Sequence, residues 1–187
     1  SVIIEGQLAT YTPVDYYYGS DEFTFQVSDG ELTDNAVVTL QVNSVNDAPI
    51  LASLSDVTFD EDGSGGVILS ASDVDEDDLT YTVSTGTDIT AELDGTDLTF
   101  SAAADYNGSE NFTITVSDGD LSDSQVITVT INAVNDAPVA GTGIIGETSE
   151  GADVSIQLSA SDIDGDNLTY TLFSDATNGS VIIEGQL

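Results

Sequence analysis

Three motifs return along this chain at one fixed interval. Val45-Asn46-Asp47-Ala48-Pro49 comes back as Val134-Asn135-Asp136-Ala137-Pro138. Val27-Ser28-Asp29-Gly30 comes back as Val116-Ser117-Asp118-Gly119, and Ser70-Ala71-Ser72-Asp73-Val74-Asp75 as Ser159-Ala160-Ser161-Asp162-Ile163-Asp164. The interval is 89 residues each time. An unslipped period of domain length means one folding unit reiterated, not one large core. A longer repeat is laid over it: Ser1-Val2-Ile3-Ile4-Glu5-Gly6-Gln7-Leu8 is identical to Ser180-Val181-Ile182-Ile183-Glu184-Gly185-Gln186-Leu187, 179 residues on. Two unlike units therefore make up the longer period. Against these landmarks, 51–139 reads as a complete unit, 1–50 as the back half of one and 140–187 as the front half of another. The first residue is Ser, and no signal peptide is visible, so the sequence is expected to be an excerpt of a longer, iterated protein.

Within a unit the apolar residues alternate. Leu79, Tyr81 and Val83 share one face, as do Phe112, Ile114 and Val116, and then Ile127, Val129 and Ile131. Phe23, Phe25, Val27 and Val38, Leu40, Val42 repeat the pattern in the first half-unit. Thr and Ser fill most intervening positions, the signature of strands buried on one side only. Asp62-Gly63, Asp94-Gly95 and Asp118-Gly119 punctuate them as turn formers, and Asn178-Gly179 is a tight-turn dipeptide before Ser180–Glu184. No stretch carries a 3.6-residue period with caps. The expected fold is all-β: tandem cadherin- or immunoglobulin-like Greek-key sandwiches of about seven strands each.

Charge narrows the function. The chain holds 35 Asp and Glu and no Lys, Arg or His, for a formal charge of −35. A surface of one sign repels itself, and no side-chain ion pair can offset this. Cations from outside must do so. Nucleic acid and anionic membrane surfaces, which need Lys and Arg, are disfavoured as partners, and no apolar run reaches the length of a membrane span. With 40% hydrophobic residues the chain can still build cores. Without Cys there is neither a disulfide nor a thiolate metal site.

The carboxylates are not spread evenly. Asp73-Val74-Asp75-Glu76-Asp77-Asp78 and Asp162-Ile163-Asp164-Gly165-Asp166 put alternate acids on one side of an extended segment. Asn46, Asp47, Asn135 and Asp136 add oxygens where one unit hands over to the next. Ca²⁺, a hard cation taking about 6–8 oxygen ligands, suits such a set.

Asn-Asp-Ala-Pro at the unit boundary, Asp-x-Asp followed by Leu-Thr-Tyr, Tyr-x-Gly-Ser before a Phe-Thr strand, and Val-Ser-Asp-Gly occur here in a fixed order. In these motifs the whole chain resembles the bacterial cadherin-like tandem repeats of large surface adhesins and biofilm proteins. The resemblance implies an extracellular, secreted protein whose junctions bind Ca²⁺. Its neighbours would be head-to-tail copies of the same repeat and other cell-surface or matrix components. It also implies the ligand sets. At the second junction Glu61 and Asp105 would come from the preceding unit, Asn135 and Asp136 from the linker, and Asp162 and Asp164 from the following unit. At the first, Asn46 and Asp47 would meet Asp73, Asp75 and Asp118. Asp29 would play the part of Asp118 in its own unit, and Glu150 that of Glu61. One departure stands out: Asp105 aligns with Tyr16, with Asp15 one residue earlier, so alternate junctions are expected to differ in calcium binding.

Catalysis finds little support. Without His, Cys, Lys or Arg there is no Ser-His or Cys-His nucleophile, Schiff base or cationic clamp. Three functions are compatible with the sequence. The leading one is a calcium-rigidified rod that extends an adhesin or matrix protein. Another is a self-assembling filament or sheath in which neighbouring copies complete the half-units. The third is a glycan-binding adhesion module acting through Tyr16, Tyr17 and Tyr18 or through calcium.

Overall fold

The computed structural model describes residues 1–184. The last three residues of the repeated octapeptide, 185–187, lie outside it. There is no helix among the described residues. The chain begins with two hairpins: β1 (Val2–Glu5) with β2 (Leu8–Tyr11), and β3 (Gly19–Ser28) with β4 (Thr33–Val42). Nine strands follow: β5 (Ile50–Leu51), β6 (Val57–Asp60), β7 (Gly65–Ile68), β8 (Ala71–Ser72), β9 (Thr80–Val83), β10 (Ile89–Asp94), β11 (Asp97–Ala102), β12 (Gly108–Ser117) and β13 (Ser122–Asn132). Beyond them only β14 (Val139–Ala140) and β15 (Ala160–Ser161) form, pairing with each other as β5 pairs with β8.

The middle segment is a sandwich. One sheet runs β6-β13-β12-β9 and the other β10-β11-β7. The β6–β13 pair is parallel and its sheet-mates are antiparallel, so the chain crosses between layers instead of meandering. Both sheets point their apolar alternates inward. Phe100 of β11 meets Phe112 of β12 with ring centroids 4.9 Å apart and planes tilted by 55°. Leu69, Ile89, Leu98, Ile114, Val116, Ile127 and Val129 close around them, each almost wholly buried. Burial of each such side chain stabilises the fold by about 1.5–3 kcal/mol. Every residue of this core lies between Leu51 and Ile131.

Local turn chemistry repeats between units. Gly6 and Gly95 both take φ 62° at the first central position of the two-residue turns β1–β2 and β10–β11. That left-handed value is strain-free only without a Cβ. In the β3–β4 and β12–β13 loops one device is built twice. Asp29 Oδ1 accepts the N–H groups of Glu31 and Leu32, and Asp118 Oδ1 those of Asp120 and Leu121. Ser28 and Ser117 donate their hydroxyls to the carbonyls of Leu32 and Leu121.

The flanking segments present their apolar faces to solvent. Phe25 and Val27 are 39% and 59% exposed, whereas their counterparts Ile114 and Val116 are fully buried. In residues 140–184 the stretches corresponding to β6, β7 and β9 make no ladder, and Val154, Ile156 and Leu172 are exposed. Ser180–Glu184, identical in sequence to Ser1–Glu5, forms no strand.

Candidate metal centres

Each junction is built by the linker folding back on the acidic loop that follows it. The N–H of Asp47 donates to Asp75 Oδ2 at 2.8 Å, and the N–H of Asp136 donates to Asp164 Oδ2 at 2.7 Å. Within the loops, Asp73 Oδ1 accepts the N–H of Asp75 at 2.8 Å, and Asp162 Oδ1 those of Asp164 and Asp166 at 3.1 and 3.2 Å. Backbone donors therefore hold the first Asp of each Asp-x-Asp in place. The Pro after each Asn-Asp-Ala lacks an N–H, so the linker cannot extend a strand there.

At the first junction Asp73, Asp75 and Asp77 each bring an oxygen within 4.8 Å of the others. The second oxygen of Asp73, Oδ2, is buried without a hydrogen-bond partner. Burial first, and then the charges of Asp73, Asp75, Asp118 and Asp120, push the Asp77 carboxyl above its ordinary value. Asp118 reaches the same junction, its Oδ2 accepting the amide of Asn46 at 3.0 Å. The N–H groups of Leu121 and Asp120 chiefly hold its carboxyl below the usual range, with Asn46 adding to them.

The second junction concentrates more acid. Glu61, Asp136 and Asp164 form one set of mutually close oxygens, and Asp62, Asp105 and Asp136 form another. Glu61 is only 7% exposed, and its Oε1 accepts the N–H of Val134 from the linker. Asp62 and Asp105 both adopt left-handed backbone, φ 60° and 58°, and the N–H of Asp105 donates to Asp62 Oδ1 at 3.2 Å. Asp136, common to both sets, has its carboxyl pushed up by burial and then by Asp105, Asp164, Asp62 and Glu61. Asp162 lines an open hollow across the junction together with Asp105 and Asp136.

The expected residues are thus placed unevenly. Asn46, Asp47, Asp73, Asp75 and Asp118 gather at the first junction, and Glu61, Asp105, Asp136, Asp162 and Asp164 at the second. Asn135 turns its amide back to the carbonyl of Asp136. Asp29 caps its own hairpin and Glu150 is exposed, and neither joins an acidic group among the described residues. Tyr16 takes φ 62°, the backbone of Asp105 with a different side chain. Asp62 and Asp77 join these acidic groups without having been singled out as candidate ligands. Asp77 is legible as the third alternate acid of its run. Asp62 was hidden, because Asp-Gly reads as a turn until Asp105 is seen beside it.

The fold and its repeated junctions define an Ig-like β-sandwich repeat. The chain belongs to the bacterial Ig domain family, whose profile matches residues 1–41, 46–130 and 135–187. It is similar to integrin beta-like protein A of Dictyostelium discoideum, with 29% identity over 191 residues, covering 86% of this chain and 10% of that protein. The chain thus spans about a tenth of that relative's length. Among solved structures it is similar to human protocadherin-24 EC1-2, at 24% identity and TM-score 0.41, over 63% of this chain and 62% of that one. It is also similar to Drosophila N-cadherin EC1-4, at 13% identity and TM-score 0.43, over 78% and 43%.

Proposed function

We propose that this chain is a calcium-stiffened structural repeat of an extracellular adhesin or matrix protein, with a mechanical and not a catalytic role. The observation that carries the reading is the second junction. Glu61, Asp62, Asp105, Asp136 and Asp164, drawn from three successive stretches of chain, converge where no cationic side chain exists to balance them. The donor set fits a hard cation: all are carboxylate oxygens, and the three of each group lie within 4.8 Å of one another. The buried Asp73 Oδ2, lacking any hydrogen bond, is an acceptor that an ion would satisfy.

Glu61, Asp62 and Asp105 from the preceding unit, Asp136 from the linker and Asp162 and Asp164 from the following loop would hold the ion at the second junction. Asp73, Asp75 and Asp77 would do so at the first, with Asp47 and Asp118 beside them. Bound calcium supplies the positive charge that lets the two sides of a junction approach. This chain's own part is the backbone scaffold, in which the linker N–H groups of Asp47, Val134 and Asp136 already tie the acids to the linker. Extracellular sites of this type bind at about 10⁻⁴–10⁻³ M, which tunes stiffness to the calcium outside cells.

Calorimetric titration of the chain with CaCl₂ tests the reading. Saturable binding in that range is expected, together with a longer maximum dimension in small-angle scattering that collapses on chelation. No heat up to about ten times the upper figure would overturn it.

A further inference from the structure

We propose that residues 46–61 and 118–134 form a tension-bearing seam, which keeps the middle unit folded when the chain is pulled from its two ends. The backbone ladder there is short: β6 and β13 pair in parallel only from Val57↔Val129 to Asp60↔Asn132. Side chains continue it in both directions. Toward the first junction, Asp56 Oδ1 accepts the N–H of Thr128 at 2.7 Å. Gln125 accepts the N–H of Leu54 at 3.0 Å and donates to the carbonyls of Leu51 and Ala52 at 2.9 and 3.1 Å. Asp123 Oδ2 accepts the N–H of Leu51 at 2.9 Å, and the Asn46 amide donates to Asp118. Toward the second junction, the Asn132 amide donates to Asp60 Oδ1, the N–H of Glu61 donates to the Asn132 carbonyl, and Glu61 Oε1 accepts the N–H of Val134. The bonded partners are 71–74 residues apart throughout, so one register runs from junction to junction.

The direction of the seam is what resists tension. The chain enters the unit at Asn46 and leaves it at Val134, at opposite ends of two parallel segments. Pulling draws the segments past each other, and the hydrogen bonds, which cross that axis, are loaded together. A hairpin opened from one end loses its bonds one at a time. Leu51 and Val57, 3% and 8% exposed, add apolar burial that sliding must undo. The side-chain bonds belong to this unit's own sequence. One interval of 89 residues away, Gln125 and Asp56 are replaced by Ala36 and Ile145, neither of which has a polar side chain. The proposal rests on the reading of the chain as a mechanical repeat, but not on calcium.

Constant-load stretching of single chains, held by handles at their two ends in the presence of chelator, tests the seam. Gln125→Ala, which copies the alternate unit and removes three of the bonds, should shorten the folded lifetime of the middle unit about tenfold. Val83→Ala, on β9 at the far edge of the same sheet, should lower the denaturant midpoint yet leave that lifetime within about twofold, since β9 is still paired when the seam gives way. Handles moved to Ser44→Cys and Asp120→Cys, exposed positions at one end of the seam in a chain with no other cysteine, should open it bond by bond. The lifetime at the same load should then be at least about tenfold shorter than with end-to-end pulling. Equal lifetimes in the two geometries, or equal shortening by Gln125→Ala and Val83→Ala, would sink the proposal. The geometry comparison alters no bond of the seam, so it decides the matter even where Gln125→Ala fails to fold. Calcium is absent throughout, so failure of the seam and failure of the calcium titration are separate outcomes.

Discussion

Hairpins β3–β4 and β12–β13 are two versions of one element. Their strands pair from Gly19↔Val42 to Ser28↔Thr33 and from Gly108↔Ile131 to Ser117↔Ser122, and the capping bonds in their loops coincide atom for atom. Phe23 of one corresponds to Phe112 of the other. Yet Phe112 is sealed between two sheets, whereas Phe23 is only half-buried and its neighbours Phe25 and Val27 face solvent. A hairpin is thus specified by alternation and turn chemistry within about 25 residues of chain, while its burial depends on strands contributed from elsewhere.

The largest expected difference follows from that contrast. Phe112→Ala should cost about 3–5 kcal/mol in denaturant unfolding, the usual penalty for an aromatic removed from a closed core. Phe23→Ala should cost less, about 1–2 kcal/mol, because its ring is only partly covered. Equal losses would break the comparison.

The two junctions form a second pair. Glu61→Gln should weaken calcium binding at the second junction by about 10–100-fold, since it removes a buried charge from the cluster, and should leave the first unchanged. Asp29→Asn serves as the control, with no change expected in the same titration. Loss at both junctions after Glu61→Gln would show that the sites are not separate.

Asp105→Tyr should make the second junction resemble its alternate. Tyr16 already occupies the equivalent left-handed backbone, so folding should be preserved while calcium affinity falls about tenfold or less. An unchanged affinity would remove Asp105 from the ligand set.

The smallest effect concerns pH. Asp77 and Asp136 have raised carboxyl pKa values, so without metal their ionisation costs stability. That stability is fully present below the ordinary carboxylate range and is lost as pH rises through their elevated values. Calcium needs the ionised form, so its affinity should drop as pH falls from about 7 to about 4, with proton release on binding detectable by calorimetry in buffers of different ionisation heat. Asp118, whose carboxyl is held low, should contribute no part of that proton release near neutrality. Affinity independent of pH over this range would count against Asp77 and Asp136 as ligands.

Much of the candidate site is legible in the sequence. The interval between motifs located both junctions, and the alternate acids of Asp73–Asp78 and Asp162–Asp166 located the loops. Asp62 was not legible, because its closeness to Asp105 arises from residues 43 positions apart meeting at one end of the sandwich. Nor was the exposure of Glu150, which matches Glu61 in sequence but lies in a stretch that forms no ladder among the described residues.

The division is clearest in the repeated octapeptide. Sequence alone determined the all-β character, the repeat and the acidic junctions, because alternation, turn residues and charge act over short distances. It could not determine whether Ser-Val-Ile-Ile-Glu is a strand. Val2–Glu5 is one, since Leu8–Tyr11 follows it across the Gly6 turn and satisfies its backbone groups. The same residues at 180–184 are not. A strand exists only where a neighbour accepts and donates its hydrogen bonds, and tertiary structure alone supplies that neighbour.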